Sequence, residues 1–463
     1  MKARTIFRVA QLEEAPELMC IGVVRGGLDR RIGAAALAMV VLFAARAAHA
    51  EPPGAPGPPP PPTAAGDASP GAPGVLSLSL KDALDRAEQR APDVVLAGRV
   101  VREVQAQRVG AGVLFPVNPR LNVDARPLIT GGSLPQVGYA ANLEMLFDLG
   151  GAPNARVREA ERAGEVATAD LSMERLRGRI AAWIAYLQVR VAETRIEETK
   201  ALVGIAERIL RASKQRGAMG ASGDIEESLA TSDLGQLRAS IEAATRQREE
   251  HLSTLRDVLD LPSTQVIVLT TPLEDPPAAP DREALLRRAV ELRPELAQIR
   301  ARLAYLDARY ERLGRERFPK IGAYLGVDAS PANPMFGILG LSVELPFAQR
   351  NQGPRAITEA ARATELDRQD LQGRRILREV SALHAAYELR RAELKLIEGT
   401  SVPAAVRTLE LVEVGWLAGR FDMFRVATAA RDVARVRASR LEALEGAWVA
   451  RIALDRAAGG PTR

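Results

Sequence analysis

His384 and Glu388 stand four residues apart, a spacing that sets two metal-ligating side chains on one helical face. Glu250 precedes His251, a second pair of ligand types. Neither pair builds a metal site, because zinc takes three or four protein ligands and no cysteine accompanies either histidine. The single cysteine, Cys20, and the remaining histidine, His49, both precede the cleavage site argued below. Disulfides, thiolate metal sites and cysteine nucleophiles are then excluded from the mature chain. The string GAMGASG over 217–223 follows a helical pattern, not a strand, and lacks the Lys of a phosphate-binding loop. No catalytic, cofactor or metal constellation remains, so the chain reads as a non-enzyme. The polar residues left are acids placed by repetition: Asp224 and Asp422 each end a Gly-rich turn, and Glu144 and Glu344 each sit in an alternating pattern.

The elements that would position them occur twice. Pro92 answers Pro294 at an offset of 202, Phe115-Pro116 answers Phe318-Pro319 at 203, and Glu144 and Phe147 answer Glu344 and Phe347 at 200. The apolar set Leu176, Ile180, Trp183, Leu187 is met by Ile376, Val380, Leu383, Tyr387. Such self-similarity predicts an architecture built from two structural repeats, over 75–262 and 283–463, with a linker over 263–282. That linker is rich in Pro and Asp, and Val266-Ile267-Val268 within it is a candidate short strand.

Only two windows show a period of two. Leu121, Val123 and Ala125 alternate with Asn122, Asp124 and Arg126, and Val137 to Phe147 alternates in the same way. In the second window Ile321 to Ala329 and Leu339 to Leu345 alternate, with Gly340, Ser342 and Glu344 facing the other way. The predicted hairpins span 118–147 and 319–346, with tips over 127–135 and 330–334. Strands of about ten residues, apolar on one face and polar on the other, suit a tilted membrane barrel with lipid outside and water inside. Seven of the chain's fifteen Phe and Tyr fall in or just beside these windows (Phe115, Tyr139, Phe147, Phe318, Tyr324, Phe336 and Phe347), as interfacial girdles require. Glu144 and Glu344 are then candidate lumen-facing residues, or solvated wall residues and no more. The alternative is a pair of hairpins on a soluble core. Four strands cannot close a barrel, so a barrel needs several identical subunits.

Each hairpin is followed by a helical pattern too long for one compact domain, over 153–215 and 355–413. Return legs over 225–259 and 422–456 carry matching seams: Leu234, Leu237, Ile241, then Leu441, Leu444, Trp448, Ile452. Antiparallel coiled-coil pairing is expected. Shorter helices open each repeat, with Ser79 as an N-cap and Pro92 in a first turn. Asp224 and Asp422 are placed to cap the return legs.

Ahead of the repeats, Arg25, Arg30 and Arg31, the apolar stretch 32–45 and Ala48-His49-Ala50 predict a cleaved export signal over 1–50, with Met19 as a candidate start. The apolar stretch is shorter than the roughly 20 residues of a spanning helix. Residues 51–74, EPPGAPGPPPPPTAAGDASPGAPG, hold nothing that builds a core and read as a tether. The formal charge is +5, and the first fifty residues hold seven Lys or Arg against four Asp or Glu, so the rest is close to balanced. No basic stripe interleaved with aromatics appears, and nucleic acid is not an expected partner.

Several strings resemble the TolC-type outer-membrane efflux family, the exit ducts of tripartite pumps and type I secretion systems. They are ALDRAEQRAPDV at 83–94, LLRRAVELRPEL at 285–296, LFDLGGAPNAR at 146–156 and LPFAQRNQG at 345–353. The last is similar to the subgroup serving heavy-metal pumps of the resistance-nodulation-division (RND) type. The family turn motifs fall on Phe147, Gly150, Gly151, Pro346, Phe347, Arg350, Asn351 and Gly353. The turns of the return legs lack the family's usual Tyr and Gln. The resemblance, over about 76–456, implies a mainly α protein with a membrane β-barrel portion: a homotrimer sharing a twelve-stranded barrel and a periplasmic tunnel of long helices. It implies an outer-membrane duct opened by a periplasmic adaptor and an inner-membrane pump. Gly217, Gly220, Gly415 and Gly419 would form the adaptor-docking tips, and Asp224 and Asp422 a periplasmic gate, where a ring of acids repels itself and attracts cations. Cap-only acids, a protein-secretion duct and a non-transporting coiled-coil envelope protein are the competing expectations.

Overall fold

The computed structural model describes residues 75–113, 117–128, 136–148, 150–218, 224–330 and 333–460, within a unit spanning 72–463. The expected signal, the tether, the Phe115-Pro116 corner, most of the first hairpin tip and Gly220 lie outside them.

Local signals start most helices where expected. Ser79 accepts from the Asp82 amide at 3.1 Å and caps α1 (Leu80–Arg90), and Pro92 occupies the first turn of α2 (Pro92–Ala111), where its missing N–H costs nothing. Strands β2 (Arg120–Leu128) and β3 (Gln136–Asp148) follow, then α3 (Ala152–Ala218) and α4 (Asp224–Val258). The next elements are α5 (Arg282–Leu292), capped by Asp281, and α6 (Pro294–Arg315). After them come β5 (Lys320–Ser330), β6 (Asn333–Glu344), α7 (Gln352–Leu396), α8 (Val402–Leu417) and α9 (Met423–Ala457). At 1.5 Å per residue the 67 residues of α3 extend about 100 Å.

One long helix departs from expectation. The stretch predicted as continuous over 355–413 widens into a π turn at Ile397–Ser401 before α8. Pro403 has no N–H to offer the preceding turn, and Gly399 stiffens nothing there, so the ladder is relaid around them. Pro127, placed by sequence in a hairpin tip, lies within β2 opposite Val137. It stands beside the last residue of β2, where the ladder ends and a missing N–H costs little.

The four long strands form one antiparallel sheet in the order β2-β3-β5-β6. A second sheet has two strands: β1 (Leu76–Leu78) runs parallel to β4 (Ile267–Leu269). The candidate strand near Val266 therefore exists, displaced by one residue, and its partner is the segment just before α1.

The core follows the helices. Leu78, Leu84, Tyr186, Leu255, Ile267 and Leu269 pack where the small sheet and α1 meet α3 and α4. Leu285, Ile376, Val380, Tyr387 and Leu454 join α5, α7 and α9. Leu187, Leu441, Leu444 and Ile452 join α3 to α9, with Trp183 and Trp448 ring centroids 6.2 Å apart. Burying these side chains stabilises the bundle by about 1.5–3 kcal/mol each.

Charges are tied between helices. Buried Arg293 donates from Nη1 to Glu379 at 2.7 Å. Burial alone would push the Glu379 carboxyl up, but the Arg293 hydrogen bond, with Arg456 and Arg375 nearby, outweighs it and holds the group below its ordinary value. A lowered folded value gives stability that is present above the unfolded value of about 4.3 and lost as pH falls through the folded one. Glu379→Gln is therefore expected to lower Tm at pH 7, with the gap to the wild type closing in melts below about pH 4.

Candidate functional site

The two strand-to-helix corners hold the family turn residues. At the first, Asp148 Oδ2 accepts from Arg156 Nη1 at 2.6 Å, and Arg156 Nη2 reaches the Val113 carbonyl at 3.3 Å. Gly150 is required by space, because a Cβ there would fall on the Phe318 ring, and Gly151 by its φ of +75°. At the second, Asn351 is left-handed with φ 57° and donates from Nδ2 to the Leu313 carbonyl at 3.2 Å and Glu316 Oε2 at 3.3 Å. Arg350 donates from Nε to the Pro346 carbonyl at 3.1 Å, and its amide donates to Gln352 Oε1 at 2.7 Å. The string RNQG thus closes a turn and clasps the end of α6. Gly353 meets nothing within 4 Å of a built Cβ, so no crowding demands it. Phe347 is exposed beyond β6, while Phe147 is half-buried.

The sheet separates the remaining residues by face. Register places Leu121, Leu143, Leu325 and Leu339 in one row, and Ala323 between Met145 and Leu341 in another. On the opposite face Arg120, Glu144, Tyr324 and Gly340 share a row, and Lys320 stands between Asp148 and Glu344. Leu339 is 83% exposed and Leu341 74%, whereas Asn142, Glu144 and Tyr324 are half-buried. That is the reverse of a sheet whose apolar face meets a core. Glu344 pairs with Lys320 at 3.8 Å.

The second helical turn is described in full. Gly419, with φ +72°, lets its amide reach the Trp416 carbonyl, and the Arg420 amide reaches Gly415 at 2.8 Å, closing α8. Gly415 is buried, and a Cβ on it would meet the Phe421 ring. Asp422 caps α9, accepting from the Arg425 amide at 3.0 Å. Asp224 is the first residue of α4 and exposed, beside Glu226 and Glu227, and Gly217 is exposed in the last turn of α3. Trp416 is packed against Ile209, Met423 and Val426, and Arg216 donates to its carbonyl at 2.9 Å. Arg431 joins Asp233 at 2.6 Å between α9 and α4.

Sequence reasoning missed the strap. Residues 271–280 run across the helices, held by side chains that bond their backbone. Tyr387 donates to Pro277, Trp448 Nε1 to Glu274 at 2.7 Å and Arg451 to Ala278 at 3.3 Å, while the Tyr186 hydroxyl receives the Thr271 amide at 3.0 Å. His384, a candidate ligand by type, contacts the Pro280 carbonyl at 3.3 Å. The only signal was the polar tip on Tyr and Trp residues inside apolar seams. Next to the strap, Glu398 in the π turn is pushed up by burial and then by Asp275, against Arg440, which also binds Glu198 at 3.1 Å.

Known proteins resemble this chain in sequence and fold. The outer membrane efflux protein family profile matches residues 285–460. The cobalt-zinc-cadmium resistance protein CzcC of Cupriavidus metallidurans is 27% identical over 327 residues, covering 69% of this chain and 76% of that protein. Among solved structures, CusC superposes with a TM-score of 0.68 at 15% identity, over 84% of this chain and 94% of its own. The outer membrane protein VceC of Vibrio cholerae does so with a TM-score of 0.67 at 16% identity, over 82% and 96%. The mainly helical fold of this chain is similar to theirs. What the chain resembles, over residues 285–460, is the outer membrane efflux protein family.

Proposed function

We propose that this protein is the outer-membrane exit duct of a tripartite efflux system, a passive conduit and not an enzyme. The observation that carries the reading is a four-stranded sheet whose exposed face is apolar and whose half-covered face is polar, fused to a helix of 67 residues. Water on the polar side and lipid on the apolar side satisfy both faces. Both β2 and β6 are sheet edges among the described residues, and an open edge is not tolerated in hydrocarbon. Further copies must supply the missing strands. A homotrimer closes a twelve-stranded barrel, and the matching element order over 75–262 and 283–463 supports two repeats sharing it. The helices then form a periplasmic tunnel whose far turns, at Gly217, Gly415 and Gly419, meet an adaptor and through it an inner-membrane pump of RND type. Asp422 caps α9 in this reading and also lines the tunnel mouth with Asp224.

The name of CzcC points to a cargo of divalent transition metals. A deletion strain is expected to gain sensitivity to zinc, cobalt and cadmium, restored by the gene. Sensitivity to hydrophobic drugs alone would overturn the metal cargo and keep the duct. Recovery of the chain as a soluble periplasmic monomer, without detergent, would sink the duct itself.

A further inference from the structure

Three glycines on the polar face of the sheet each lie beneath a side chain from a neighbouring strand. A Cβ on Gly340 would fall inside the Tyr324 ring, one on Gly326 would meet the Asn142 amide, and one on Gly322 would meet the Ser342 hydroxyl. Each glycine stands directly opposite its partner in the register: Gly340 with Tyr324, Gly326 with Asn142, Gly322 with Ser342. All three fall on the same face, while the apolar face shows no such overlap: Gly337 meets nothing within 4 Å. Crowding on one face only is what concave curvature produces, because side chains on the inside of a bend converge. Glycine in a strand marks a place where another group must come close.

The geometry points to these glycines, Gly340 above all, as residues that set the bore of the duct. Tyr324 lies flat along the wall because Gly340 leaves its ring a bed, and Asn142 and Ser342 do the same over Gly326 and Gly322. Without the glycine the ring must swing off the wall, and the only free direction is the lumen. This middle band is also uncharged apart from Glu144 and Arg120 in the Tyr324 row, with Asn122, Asn142, Gly326 and Ile338 forming the next row. A wide waist whose few charges are balanced passes a bulky or hydrated cargo without binding it, as conduction requires. The inference rests on the duct reading above, since a sheet that enclosed no lumen would have no bore to set.

The test is single-channel conductance of the full-length protein reconstituted in planar bilayers, alongside thermal melts of the assembled oligomer. Gly340→Val is expected to lower conductance about two-fold or more, with a pore still formed. Tyr324→Ala combined with Gly340→Val is expected to restore both conductance and melting temperature, because the collision is then gone. Tyr324→Ala alone should leave conductance at or above the wild-type value. Wild-type conductance from Gly340→Val would overturn the inference. If Gly340→Val fails to assemble, Gly340→Ala supplies the conductance reading, and failure of the double variant to recover assembly also overturns it. A wild-type protein that inserts without conducting would instead defeat the duct reading, while rescue of the melting temperature by the double variant would still report the Tyr324–Gly340 packing.

Discussion

Leu339→Arg is expected to remove the protein from the outer membrane. Leu339 is 83% exposed in the middle of β6 and has no packing partner that the change would disturb. On a soluble sheet such a substitution costs within about 0.5 kcal/mol and often aids solubility. On the lipid face of a barrel, Arg near the bilayer midplane costs about 2–4 kcal/mol in each copy, and symmetry repeats the cost around the ring. The measurement is the yield of heat-modifiable oligomer in the outer-membrane fraction, with Ile338→Arg, on the opposite face of the same strand, as the comparison. Retention of Leu339→Arg at wild-type yield, with normal efflux, would rule out a lipid-facing β6. The paired design matters because the two sites share a strand, a secondary-structure cost and an assembly route, and differ in the face they present.

Trp416→Ala is expected to melt the far helical turn while leaving the rest of the molecule intact. Trp416 is 1% exposed and fills the small cluster with Ile209, Ala230, Met423 and Val426. Truncating a buried Trp costs about 3–5 kcal/mol. That loss falls on a segment with few other supports, since Gly415 and Gly419 contribute no side chain and the main cores lie near the other end of the helices. Local opening is thus favoured over global unfolding. Hydrogen exchange should rise by orders of magnitude across 409–430 and stay unchanged near Tyr387 and Leu444. Efflux should fall because the turn proposed to meet the adaptor no longer holds its shape. Equal loss of protection at both places would show that the turn and the main cores open as one unit.

Much of this architecture is legible in sequence because it depends on local period. Leu121 to Ala125 and Leu339 to Leu345 announce their faces two residues at a time, and Leu441, Leu444, Trp448 and Ile452 announce a helical seam. The two acids at the turns fit either a gate or helix caps by sequence, and Asp422 does cap its helix. The strings that resemble the family also fall where chain direction changes, and Gly150 and Asn351 turn the chain there. The π turn at 397–401 escaped notice because Pro403 follows a run with good helical spacing, and period reports faces, not the hydrogen-bond ladder.

By itself the sequence determined the order of elements, which strand faces are apolar and the great length of the helices. Each of these follows from residues within a few turns of one another. Only the tertiary structure decided that β3 pairs with β5, some 180 residues later, that Tyr186 and Tyr387 hold a strap by a backbone amide and a carbonyl, and that Tyr324 rests on Gly340. Such contacts depend on which distant segments meet and at what curvature. A periodic pattern carries no information on that, because many pairings bury the same apolar face equally well.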